Sequence, residues 1–239
     1  MKKNEIIYQA DDATCVGYLV HNENIQTPTP AILVAHAWRG QDEFAREKAH
    51  ELARMGYIAF AIDMFGNQKN AKDDEESSAL IKPFYIDRQL MQKRVIAAYN
   101  TLIKQPHVDT RRIGAIGFCF GGLTVIELLR SGTPVKSVVS FHGILGHEGA
   151  KTAPIAPGIK GSLLILHGYE DPLVSFSDIQ GLQKELNDHK IDWQMNTYGL
   201  TSHAFTNPLA NDHVKGLIYN EKTAKKAWSA MKIFFNETL

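Results

Sequence analysis

Five short apolar runs lack the strict alternation of a half-exposed strand: residues 31–37 (AILVAHA), 57–63 (YIAFAID), 113–118 (IGAIGF), 135–141 (VKSVVSF) and 162–167 (SLLILH). Runs of this length, bounded by glycine and proline, predict strands covered on both faces. Between them, helical spacing runs over 44–55, 87–104, 123–130, 176–190 and 222–235. Strand followed by helix, repeated, predicts an α/β fold with a largely parallel sheet and helices on both faces. Residues 15–20 (CVGYLV) precede this rhythm and read as an antiparallel edge strand, and 193–198 as a last strand. No internal repeat, low-complexity linker or shift in composition divides the chain, so one domain over 1–239 is expected.

Residues 66–85 break the rhythm. They carry the acidic run 73–76, offer few large apolar side chains before Leu80 and end near Pro83. A solvated charged face is the plainer reading of such a stretch, and a cap over a site the functional one.

Composition narrows the classes of function. At 44% apolar the 239 residues can bury a large core, and 26 Lys plus Arg balance 26 Asp plus Glu. Without a basic excess, neither nucleic acid nor a membrane surface is an expected partner. No apolar run is long enough to span a bilayer, and no apolar stretch follows Lys2 and Lys3, so a cytoplasmic location is expected. Two cysteines, Cys15 and Cys119, are too few for a disulfide framework or a four-thiolate zinc site. Neither a metal nor a cofactor is called for, and both monomer and homodimer remain open.

The chemistry concentrates in RIGAIGFCFGGLTVIELLR, residues 112–130. A strand runs into Gly117-Phe118-Cys119-Phe120-Gly121 and then into an apolar helix, a nucleophile elbow with cysteine where serine is usual. The sharp turn strains its central residue and brings backbone so close that only glycine fits the flanks. Cys119 would stand at a helix N-terminus, which favours a thiolate, and the Phe120 amide would face an attacked carbonyl. Buried packing is the competing reading of a free cysteine.

A thiol nucleophile needs a base, and the base needs an orienting acid, in the chain order nucleophile, acid, histidine. Gly168-Tyr169-Glu170-Asp171-Pro172 follows one strand and Gly199-Leu200-Thr201-Ser202-His203 follows the next. Asp171, with Glu170 as its competitor, and His203 are the assignments. His36, His142 and His167 also end strands and read as packing or pocket lining, with His142 a candidate substrate contact. Trp38 and Arg39 follow the early strand; Trp38 would lend its N–H to the oxyanion and its indole to the acyl group, or else plug the sheet edge. Asp63 reads as a loop-fixing hydrogen-bond acceptor.

Together, Gly-Phe-Cys119-Phe-Gly-Gly, His-Gly-Tyr-Glu-Asp171-Pro, Ser-His203-Ala-Phe, Ala-Trp-Arg-Gly and Ile-Asp-Met-Phe-Gly resemble the dienelactone hydrolase family, a cysteine-using branch of the α/β-hydrolases. The resemblance covers nearly the whole chain. It implies the α/β-hydrolase fold and a cofactor-free Cys119-His203-Asp171 triad that opens small esters, lactones or thioesters through an acyl-thioester. Phe120 and Trp38 would supply the oxyanion amides. In two places the chain departs from the family pattern: Ala37 stands where a glutamate controls the thiol, and Thr206 where an arginine holds the substrate carboxylate. The departures favour an uncharged substrate unless Arg39 or Arg88 supplies a cation. They also motivate the alternative of a non-hydrolytic small-molecule binder or thiol-reactive sensor on the same fold.

Overall fold

The computed structural model describes residues 1–146 and 149–239. A hairpin of β1 (Lys2–Ala10) and β2 (Ala13–His21) opens the chain. There follow β3 (Thr29–Ala35), α1 (Glu43–Arg54), β4 (Ile58–Ala61), α2 (Asp74–Ile86), α3 (Arg88–Leu102), β5 (Val108–Phe118) and α4 (Phe120–Arg130). The second half contributes β6 (Ser137–Phe141), β7 (Ser162–Gly168), α5 (Phe176–Asp188), β8 (Asp192–Tyr198), the short pair β9 (Asn211–Asp212) and β10 (Leu217–Ile218), and α6 (Glu221–Thr238). Among the described residues, no helix is long and apolar enough to cross a membrane.

Eight strands form one sheet in the order β1-β2-β4-β3-β5-β6-β7-β8. Pairings from β4 to β8 are parallel, and those of β1 with β2 and β2 with β4 are antiparallel. This is the expected α/β architecture. The period of two explains the doubly apolar runs: Ala31, Leu33 and Ala35 pack on the face that carries α3 and α4, while Ile32 and Val34 pack with Leu52, Met231 and Phe235 of α1 and α6.

Two expectations are corrected. The strand containing Cys15 is not the edge, because β1 pairs with it over nine residues. β1 escaped notice because its burial alternates weakly and its first residues are polar, as an exposed edge requires. Residues 66–85 do not wholly break the helical rhythm, since most of their second half is α2, although Asp73 and Glu75 of the acidic run are exposed, as a solvated charged face requires. Asp73 caps that helix by accepting the Glu76 N–H at 2.8 Å, and the acidic run forms its first turn, where negative charge opposes the helix dipole. Pro83 lies inside α2 rather than ending it.

Candidate active site

The elbow is built as its residue types demand. β5 ends at Phe118, α4 begins at Phe120, and Cys119 between them has φ 55° and ψ −114°, a region L-residues avoid. A Cβ on Gly117 would lie 1.9 Å from the Gly121 carbonyl oxygen, and one on Gly121 would lie 2.1 Å from that of Ala35. The Cys119 N–H is held by the Phe141 carbonyl at 3.0 Å, which ties the turn to β6. Phe120 and Gly121 are the first residues of α4, where N–H groups lack intrahelical acceptors.

His203 arrives from the loop after β8. Its Nδ1–H donates to Asp171 Oδ2 at 2.7 Å; both residues are buried, and the other ring nitrogen, Nε2, is buried with no hydrogen-bond partner. Asp171 is itself held in its loop by accepting the Leu173 N–H at 2.9 Å. Glu170, the competing acid, is exposed, and its main chain does the bridging: its N–H donates to Thr201 O at 2.9 Å. The acid and histidine loops touch closely enough that a Cβ on Gly168 would sit 2.5 Å from Thr201 O. On its far side the histidine loop is pinned by β10, with Ile218 N–H donating to His203 O at 3.0 Å.

Burial alone would push His203 down. The electrostatic interaction with Cys119, together with the Asp171 carboxylate, outweighs burial and lifts the imidazole to about 10.

Cys119 and His203 open onto a cavity of about 700 Å³. Trp38, Arg39, Arg88 and His142 line it too. Residues that sequence reasoning missed come mainly from α2: Ser78, Ile81 and Tyr85 form one wall. Burial, and then the charge of Cys119, push the Tyr85 hydroxyl up, so it stays protonated beside the sulfur. Its only sequence signal was its place at the end of the suspected cap.

The cations in this cavity differ. Arg39 is 42% exposed and paired with Asp74 at 2.6 Å, and Lys215 reaches the other oxygen of the same carboxylate at 2.5 Å. Arg88 is buried; it donates to the Phe84 and Gly146 carbonyls at 3.3 Å each, and its Nε has no partner. No carboxylate among the described residues forms an ion pair with it. Glu127, whose field it feels, is engaged by Arg130 at 2.8 Å and Gln92 at 3.0 Å.

The remaining candidates have structural duties. His36 donates from Nδ1 to Ala37 O at 2.6 Å and accepts the Met64 N–H at Nε2, which fixes its tautomer and joins the ends of β3 and β4. Asp63 accepts four main-chain N–H groups, from Val16, Phe65, Gly66 and Gln68. His167 is buried outside the cavity lining, and Cys15 is buried beneath Arg94. No cluster of three or more His, Cys, Asp or Glu suited to a metal occurs among the described residues.

The family model for the dienelactone hydrolase family matches residues 16–239. The chain belongs to the dienelactone hydrolase family. Membership makes it a hydrolase and accounts for the sheet order and the elbow together. Among solved structures, a dienelactone hydrolase-like promiscuous phosphotriesterase from metagenomic libraries is 36% identical, with a TM-score of 0.93 over 99% of this chain and 98% of that one. Curated relatives include a Bradyrhizobium protein named as a probable 2-oxo-3-(5-oxofuran-2-ylidene)propanoate lactonase, 25% identical over 86% of this chain and 82% of its own. A carboxymethylenebutenolidase homolog of Xenopus tropicalis is 26% identical over 78% of this chain and 74% of its own.

Proposed function

We propose that this hydrolase cleaves small carboxylic esters and lactones by covalent thiol catalysis, with Cys119 as nucleophile, His203 as proton shuttle and Asp171 as its orienting carboxylate. The observation that carries this reading is the buried His203, bonded to Asp171 through Nδ1 and unpartnered at Nε2, beside a cysteine strained into the elbow. The thiolate attacks the carbonyl carbon, and the amides of Phe120 and Trp38 receive the oxyanion. Collapse breaks the C–O bond, and the departing alkoxide takes the proton from His203 Nε2. In a lactone the alcohol stays tethered to the acyl group. His203, now neutral, removes a proton from water, whose oxygen attacks the thioester; the carboxylic acid leaves and the thiolate returns.

Arg88 favours an acidic substrate over the uncharged one expected from Ala37 and Thr206. A buried guanidinium without a carboxylate partner is costly, and a substrate carboxylate in the cavity would offset that cost. The lactonase named among the relatives has a substrate of that charge class. A second reading, attack of the same thiolate on the phosphorus of a neutral triester, draws support from the phosphotriesterase relative.

Hydrolysis of short-chain nitrophenyl esters tests the proposal. Cys119→Ala and His203→Ala should each lose about 10³-fold or more in kcat, and Cys119→Ala should show no acyl adduct by mass spectrometry. Unchanged rates in either variant sink the triad, and acylation of Cys119 without turnover makes the protein a thiol sensor instead.

A further inference from the structure

Asp171 anchors His203 at one atom, Nδ1, and one hydrogen bond leaves a ring free to tilt about it. The plane of an imidazole is poorly fixed by its own torsion, since rotation at an sp²-bearing carbon is broad. For Nε2 to face Cys119 in both half-reactions, something must hold the ring laterally. His142 stands there. It follows β6 at the floor of the cavity, fully buried, and its ring meets His203 edge-on with centroids 5.0 Å apart and planes at 65°. Phe205 and Phe118 pack around the same imidazole at 5.1 and 6.1 Å.

Two features set His142 apart from an ordinary buried ring. Its backbone is left-handed, with φ 39°, a conformation that a non-glycine residue retains only where its surroundings over-determine it. Its Nδ1 has no partner among the described residues, so the ring has one polar side-chain anchor, Nε2 to Thr206 Oγ1 at 2.7 Å. Thr206 is buried and lies three residues beyond His203 on the same loop. Beyond its main-chain bonds, the loop that carries the base is therefore held by two side-chain ties, to Asp171 through His203 and to the end of β6 through Thr206.

We infer that His142 and Thr206 are a positioning pair that holds the His203 ring in the plane required for proton transfer with Cys119. This rests on His203 being the base, and it gives Thr206 a role of its own in place of substrate contact. The electrostatics agree with the geometry. Among the described residues, the charged or titratable groups around His203 are Asp171, Cys119, His142 and His167, and His203 is the one charged group among them that bears on His142. Burial, and then the charge of His203, hold His142 well below the usual histidine range. The imidazolium thus leans on a ring that stays neutral and does not repel it.

Thr206→Val removes the hydroxyl at nearly constant volume, and Thr206→Ser keeps it. Valine should lower kcat about tenfold with KM little changed, because misplacement of a catalytic group costs turnover before binding. Its pH–rate profile should also lose activity at lower pH than the wild type on the alkaline side, since a looser ring couples less to Cys119 and Asp171, whose combined pull outweighs burial. Serine should restore both. If valine is insoluble, His142→Phe, which keeps the edge contact but not the tether, should reproduce the kcat loss and the shift. A valine variant with unchanged kcat and profile overturns the inference. So does one whose melting temperature falls while its profile stays in place, since that marks a merely structural role. Cys119→Ala, measured alongside, reports separately on whether the parent triad holds.

Discussion

Two charges in the cavity decide what individual residues are expected to do. His203 is lifted to about 10 by Cys119 and Asp171, so its proton is held through neutral pH and is lost as pH rises through that value. Activity that needs the imidazolium as acid should fall on that alkaline limb. Asp171→Asn removes one of the raising partners, so the limb should move to lower pH as kcat drops, which a pH–rate profile resolves. Arg88 makes the second prediction. With its charge removed in Arg88→Gln, KM for an ester bearing a carboxylate should rise about tenfold or more, while KM for the matching neutral ester stays within about twofold. Equal effects on both substrates would place Arg88 in the scaffold instead. The sequence marked Arg88 as a possible cation but could not separate it from Arg39. The two part only in the fold, where Asp74 neutralises Arg39 and no carboxylate among the described residues pairs with Arg88.

The β5-turn-α4 unit was legible at the scale of elements because its constraint is local. Gly117 and Gly121 sit where any Cβ would strike main-chain atoms, 1.9 Å and 2.1 Å away. Backbone cannot retreat as a flexible side chain can, so Gly121→Ala should destabilise the protein by about 3 kcal/mol and abolish turnover. Urea unfolding and a nitrophenyl ester assay check the two together. α2 was not predicted as a helix, for the opposite reason. An acidic run is soluble in any conformation, and only the Asp73 cap, with Ile81 and Phe84 buried against the core, makes it a helix. Once folded, its inner face supplies Ser78, Ile81 and Tyr85 to the cavity. Its N-terminal turn is bound to the β3 loop and to the turn before β10 by the Arg39-Asp74-Lys215 bridge.

Across the whole molecule, the sheet depends on a strand that hydrophobic patterning did not reveal. β1 shields the edge of β2, and the Tyr8 hydroxyl both donates to Asp63 O at 3.1 Å and accepts the Asp63 N–H at 3.2 Å. Removal of residues 1–10 should expose the β2 edge and leave those main-chain groups without a partner. The truncated chain should associate, seen as concentration-dependent light scattering, whereas Tyr8→Phe should stay monodisperse and lose about 1–2 kcal/mol in urea unfolding. A truncated chain as soluble and stable as the full one would show that β1 is dispensable.

The sequence by itself determined the α/β alternation, the elbow around Cys119 and the order in which acid and histidine loops follow it. Each is written in neighbouring residues: double-sided burial makes a strand uniformly apolar, and crowding at a tight turn admits only glycine. Tertiary structure alone decided that Arg88 is buried in the cavity and that Thr206 bonds His142, while Asp171, already preferred to Glu170 from sequence, is the acid bonded to His203. His142 and Thr206 are 64 residues apart, and Lys215 and Asp74 are 141 apart. Which side chains meet across such distances depends on how loops from different strands pack at one end of the sheet, and no local periodicity records it.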